Sequence, residues 1–230
     1  MSSWWVHDLY HQGRVVELVS WIFWVIFSIT MHELAHGWAA LWQGDDTPRR
    51  LQRMTMNPLV HMGPWSLVIF AVIGIAWGVM PADPSRFRSG RRGRVYVSGA
   101  GPAMNIVLCF LALTLLIVWL AFGPRGSEVY RGVAVFLWTG GWLNIILAIL
   151  NLLPIPPLDG ASVLAGLSWR MYRLYQHPQA QMAGMLFILL VFFTGIFDFA
   201  FRACTIPAVL YVDVAGALFG SPPVFDVVYG

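Results

Sequence analysis

The sequence predicts an all-α polytopic membrane protein with about four to six membrane helices, a re-entrant segment, and a short extended or β region near residues 48–64. Two observations of composition carry the class. Apolar residues make up 58% of the 230-residue chain and charged residues only 11%, against about 25% charged in a soluble domain. Mean hydropathy is +0.68. A third observation carries the helix number. Segments 15–42, 95–122, 132–153 and 183–202 each reach the roughly 20 apolar residues that a spanning helix needs.

Two further apolar segments are shorter or interrupted. Residues 65–80 are apolar over 16 positions, and residues 203–220 are broken by Pro207, Asp213 and Gly216. Arg49, Arg50 and Arg53 precede segment 65–80, and Arg86, Arg88, Arg91, Arg92 and Arg94 follow it. The positive-inside rule places both clusters in the cytoplasm, so the segment between them is expected to be re-entrant. Backbone that is not helical at membrane depth needs shielding by protein, so this segment should pack on the other helices. Helix 15–42 then runs inward, 95–122 outward, 132–153 inward and 183–202 outward. Trp4, Trp5, Trp119 and Trp138 fall near the outer interface.

The N-terminal MSSWWVHDLYHQGR has no basic n-region or short apolar core ending in small residues, so the first apolar segment is expected to stay as an anchor. The chain reads as a single domain, 1–230, with a core over about 15–165 and C-terminal helices over 183–220. A net charge of +3 gives no reason to expect a nucleic-acid partner. Cys109 and Cys204 lie in apolar stretches and are expected to pack without a disulfide.

Within the first helix the chain reads His32-Glu33-Leu34-Ala35-His36. Spacing i, i+4 stacks the two imidazoles on one helix face, one turn apart, which suits a single metal ion. Glu33 lies beside that face, placed to take a proton from a water the metal activates. Ionisable groups at membrane depth are costly, and a bound metal supplies compensation. Polar residues satisfied by neighbouring helices are the alternative reading.

A catalytic zinc site uses three protein ligands and keeps an open position. The best third candidate is Asp159, in Asn151-Leu152-Leu153-Pro154-Ile155-Pro156-Pro157-Leu158-Asp159-Gly160. The prolines break the preceding helix, and Gly160 permits a sharp turn beside the carboxylate. On the predicted topology this helix end and the two histidines both lie toward the cytoplasmic side. Gly99-Ala100-Gly101-Pro102-Ala103-Met104-Asn105 opens the next helix at similar depth. Its small residues permit close helix approach. Asn105 is either a hydrogen-bond donor to substrate or oxyanion or a helix-packing amide, and Asn151 carries the same two readings.

These three motifs, in this order, resemble the site-2 protease family over about residues 28–165. The likeness is greatest to its compact branch, without PDZ or CBS domains. Met56-Asn57-Pro58-Leu59-Val60-His61 and the Pro-Ser-Arg-Phe-Arg run also look like that branch. Where compact members continue with Asp-Pro-x-Gly, this chain has Met62-Gly63-Pro64-Trp65. The resemblance implies one Zn²⁺ per chain, held by His32, His36 and Asp159. It implies Glu33 as general base, with assisting catalytic roles for Asn105 and Asn151. It further implies an integral multi-pass protein of a bacterial-type plasma membrane, with its active site toward the cytoplasm. The substrate would be a transmembrane segment of another membrane protein. Segment 48–64 would pair with that substrate, once unwound, as an added strand.

His61 reads as a solvated loop histidine, with lining of the site as the alternative. His7, His11 and His177 read as interfacial. A metal transporter and a client-binding scaffold are the rival functions. Against the first stands the lack of repeat halves, and against both stands the placement of Glu33.

Overall fold

The computed structural model describes residues 13–194 and 196–229. Trp4, Trp5, His7 and His11 lie outside the described residues. Among the described residues, three helices are long and apolar enough to cross a membrane: α1 (Val15–Trp42), α4 (Arg91–Phe122) and α5 (Glu128–Leu152). The described residues form helices, turns and loops, with no strand among them.

The three long helices pack on one another, and small residues set how closely. A Cβ on Gly140 would lie 2.2 Å from the Trp24 ring, and one on Gly141 would lie 2.2 Å from the Leu113 side chain. At these points α5 seats α1 and α4 without a side chain between, the usual means of tight packing in lipid. Further along, Leu113, Leu116 and Leu120 of α4 meet Ala134, Val135 and Trp138 of α5. Trp138 donates to the Tyr229 hydroxyl and Trp119 to the Tyr130 carbonyl, near the 123–127 turn. Val107, Leu111, Leu115 and Val118 face outward and exposed along α4, as a lipid-facing surface requires.

After α1 the chain makes a short helix, α2 (Thr47–Arg50), then an irregular stretch over 51–57. Helix α3 (Pro58–Ile73) follows. The extended or β region expected over 48–64 is not seen: helix occupies Thr47–Arg50 and restarts at Pro58, and 51–57 are turn, bend and loop, with Gln52 at φ 55°. Helix begins again at Pro58 because Asn57 accepts from the Leu59 amide at 3.0 Å and proline suits the first helical turn. Gly63, at φ 69°, kinks α3 ahead of Pro64. Gly74, at φ 80°, ends it in a left-handed cap, a conformation glycine adopts freely.

Residues 75–83 then run back along α3 without forming a helix. The buried Ser66 hydroxyl donates to the Trp77 carbonyl at 2.7 Å and accepts from the Trp77 amide at 2.9 Å. The Val79 amide donates to the His61 carbonyl at 3.0 Å. The chain thus returns to the level at which α3 began. A 3-10 turn at Pro84–Arg86 leads to α4.

Beyond α5, the Pro-rich turn leads to α6 (Asp159–Leu167), α7 (Trp169–Tyr175), α8 (Pro178–Phe193), α9 (Ile196–Ala217) and α10 (Val224–Val228). The single span expected over 183–202 is divided. Helix α8 starts at Pro178 and has Thr194 as its C-cap, where the sequence reads Thr-Gly, a pair with low helix propensity. Helix α9 continues through Pro207 and Asp213, and the Asp213 carboxylate accepts from the Val224 amide at 2.9 Å. Cys109 and Cys204 are free and buried.

Candidate metal centre

Helix α1 delivers His32, Glu33 and His36, all buried in the bundle or at its edge. The imidazoles of His32 and His36 stand nearly perpendicular, at 83°, with centroids 4.6 Å apart. Their Nε2 atoms are 3.0 Å apart. One Asp159 carboxylate oxygen lies 3.0 Å from His32 Nε2 and 3.3 Å from His36 Nε2. Two ligands of a tetrahedral ion at bond lengths near 2.0–2.1 Å stand about 3.3 Å apart. The three atoms therefore form one face of a tetrahedron of the right size, from residues far apart in sequence.

The hydrogen-bond network fixes which ring nitrogen of each histidine carries the proton. The Gly140 carbonyl can only accept, so the Asn144 group 2.8 Å from it is the NH₂, which also bonds Ser28 at 2.9 Å. The Asn144 oxygen then accepts from the Asn105 NH₂ at 2.9 Å. The Asn105 oxygen is left facing His32 Nδ1 at 2.6 Å. Nδ1 of His32 must donate, which leaves a lone pair on Nε2. His36 reaches the same tautomer directly, with Nδ1 2.7 Å from the Val97 carbonyl. With Nδ1 donating, each imidazole in its neutral form keeps its lone pair on Nε2, the form a metal requires.

Asp159 is set by the turn before it. The Pro-rich stretch ends α5, and Asp159 is the first residue of α6. A Cβ on Gly160 would lie 2.2 Å from the Leu152 carbonyl oxygen, so this glycine is required for close approach of backbone to backbone. The Tyr175 hydroxyl donates to the Pro154 carbonyl at 2.9 Å. A Cβ on Gly184 would lie 1.9 Å from the Pro156 carbonyl oxygen, so α8 buttresses the same turn. One carboxylate oxygen is turned toward both Nε2 atoms, and as a metal ligand Asp159 would serve in its deprotonated form.

The fourth side of the triad is kept free of side chains. A Cβ on Gly101 would lie 2.4 Å from both Nε2 atoms. The glycine of Gly-Pro-Ala-Met-Asn therefore does more than permit helix packing, because it leaves room where an ion would sit. Glu33 faces another glycine. A Cβ on Gly78, in the returning stretch, would lie 2.6 Å from its Cγ and from one carboxylate oxygen.

The expected residues fall into place unevenly. His32, His36 and Asp159 come together as one cluster of metal-ligating atoms, with Glu33 adjacent in α1. Asn105 is fully buried, at 0% exposure, and its carboxamide bonds His32 and Asn144. Asn151 is half-buried, and its amide donates to the Leu147 carbonyl of its own helix at 2.9 Å. His177 is exposed at the start of α8. His61 corrects the solvated reading: it is 2% exposed, because the return of the chain along α3 covers it. Sequence reasoning missed Asn144, the Val97 carbonyl, and the contacts of Gly101 and Gly78. Of these only Asn144 carried a signal, as an amide at the depth of the motifs.

Fold and site together define a multi-helix membrane protein with a buried two-histidine, one-carboxylate triad beside a glutamate. A family model for peptidase family M50 matches residues 120–194. That stretch holds Asn151 and Asp159, while the α1 motif precedes it. YwhC of Bacillus subtilis, which bears the name of a zinc metalloprotease, is 36% identical over 172 residues, covering 74% of this chain and 78% of YwhC. Two proteins called Rip2 bear the same kind of name. That of Mycolicibacterium smegmatis is 32% identical over 155 residues, covering 65% of this chain and 56% of its own. That of Mycobacterium tuberculosis is 30% identical over 166 residues, covering 69% and 60%. No solved structure gives a significant match. The chain belongs to peptidase family M50, the site-2 protease family that its motifs resemble.

Proposed function

We propose that this protein is an intramembrane zinc metalloprotease that hydrolyses peptide bonds in or near transmembrane helices of other membrane proteins. The observation that carries the reading is the triangle of His32 Nε2, His36 Nε2 and the Asp159 carboxylate oxygen, with sides of 3.0–3.3 Å, beside a buried Glu33. One zinc ion per chain fits that face and, when bound, supplies Lewis acidity and an activated water.

The protein's own groups do the rest. His32, His36 and Asp159 would hold the ion. Glu33 takes the proton of the attacking water and passes one to the leaving amine. Asn105 is a positioning residue, fixing the His32 tautomer. The amide of Asn151, at the end of α5, keeps one N–H for a substrate carbonyl.

The arginine clusters on both sides of α3 orient the site toward the cytoplasm. The bond between the Val79 amide and the His61 carbonyl supports a re-entrant course for 58–83, since entry and return meet at one level. The non-helical stretches 51–57 and 75–83 offer backbone to a substrate unwound for cleavage. The test is cleavage of single-span model substrates in liposomes. Wild type should cut, and Glu33→Gln should keep zinc without cutting. Equal cleavage by both would remove Glu33 from the chemistry, and no cleavage by wild type would contradict the proposal.

A further inference from the structure

We propose that His61 is a positioning residue of the same centre: its Nδ1 holds a water shared with the Glu33 carboxylate. The kinetic part of this inference rests on the proteolytic reading above, and the structural part does not.

The hydrogen bonds of His61 define its tautomer. Nε2 lies 2.6 Å from the Thr55 carbonyl oxygen, which can only accept, so Nε2 carries the proton. Nδ1 is then an acceptor. It is buried and has no hydrogen-bond partner among the described residues. A buried acceptor without a partner is rare in a native fold and calls for a water, an ion or a functional contact.

Its neighbours place it at the level of Glu33. Met62, the next residue, packs in one cluster with Trp24, Val25 and Ile29 of α1, just before His32. On the other side, a Cβ on Gly37 would meet the side chains of Met54 and Met80 at 2.5 and 3.0 Å. Between these two levels lies Glu33, touched by the backbone of Gly78. The residue after Gly78 is Val79, whose amide donates to the His61 carbonyl. One peptide of the returning stretch thus bridges Glu33 and His61.

A water donating one hydrogen to Nδ1 and the other to a Glu33 oxygen satisfies both groups. It would hold the carboxylate in one rotamer against Gly78. Thr55 anchors the arrangement from the far side of the ring.

Two measurements decide it. The first is an experimental structure of the zinc-loaded full chain at a resolution that shows water. It should show a water within about 3.2 Å of both Nδ1 and a Glu33 oxygen. An Nδ1 facing only apolar atoms, or bonded to another protein group, overturns the proposal. The second compares His61→Gln with His61→Asn. Gln places an N–H where Nε2 was and keeps the bond to Thr55, whereas Asn places an oxygen where Nδ1 was.

At unchanged zinc content, Gln should lose about tenfold or more in kcat with KM little changed. Asn should stay within about threefold of wild type. The opposite order, equal losses in both, or no loss in either would mark His61 as structural. If wild type cleaves nothing, the proteolytic reading fails while the first measurement still decides the role of His61.

Discussion

A Cβ on Gly101 would lie 2.4 Å from Nε2 of His32, so the close crossing of α1 and α4 and the space for a metal ion are one feature. Gly101→Ala is expected to push both imidazoles off their face. Zinc affinity, read by competition with a chromophoric chelator, should fall about tenfold or more. Gly99→Ala is the control, since a Cβ there meets nothing within 4 Å. Equal affinities for the two variants would contradict the geometry.

Removal of the Asn105 carboxamide leaves His32 Nδ1 without its acceptor. Asn105→Ala is expected to weaken zinc binding by about 10–100-fold. Asn144→Ala, one bond further from the ring, should cost less. A larger loss from Asn144 than from Asn105 would contradict the relay that begins at the Gly140 carbonyl.

Gly78→Ala should separate chemistry from metal binding. Its Cβ would collide with Glu33 at 2.6 Å, and the three atoms nearest to it all belong to Glu33. Zinc content should match wild type, and kcat in the liposome assay should drop about tenfold or more. Loss of zinc in this variant would mean that the returning stretch supports the ligands rather than the base.

Asp45 anchors the loops around the site. It is fully buried, at 0% exposure. Its carboxylate accepts from the Thr47 amide at 3.0 Å, the Thr47 hydroxyl, and the Asp83 amide at 2.7 Å. Asp45→Ala strands these donors and should destabilise the fold by about 2–3 kcal/mol, seen as a lowered melting temperature in detergent. An unchanged melting temperature would show that water replaces the carboxylate at no cost.

Much of the centre was legible because its parts obey local rules. His32 and His36 share a face by helix periodicity alone, and three prolines announce the break before Asp159. Gly160 was expected to permit a sharp turn, but it lies in the first turn of α6, and what requires a glycine there is the close approach to Leu152. The rest depends on tertiary contacts that no local pattern encodes. His61 reads as a loop residue until residues 75–83 fold back over it. Asn105 reads equally as donor or packing residue until the Gly140 carbonyl orients the Asn144 amide. Segment 48–64 looked extended because prolines and polar residues are frequent in it, but Asn57-Pro58 is also a helix start, and that signal won. The apolar run 183–202 hid the end of α8 because Thr194, its C-cap, sits within a continuous hydrophobic stretch.

The most direct test of the centre is the zinc content of the purified full chain, measured by elemental mass spectrometry for wild type, Glu33→Gln and Asp159→Ala. Wild type and Glu33→Gln should each carry about one zinc per chain, and Asp159→Ala should lose most of it. Metal-free wild type, or full occupancy in Asp159→Ala, would contradict the assignment of His32, His36 and Asp159 as the ligands.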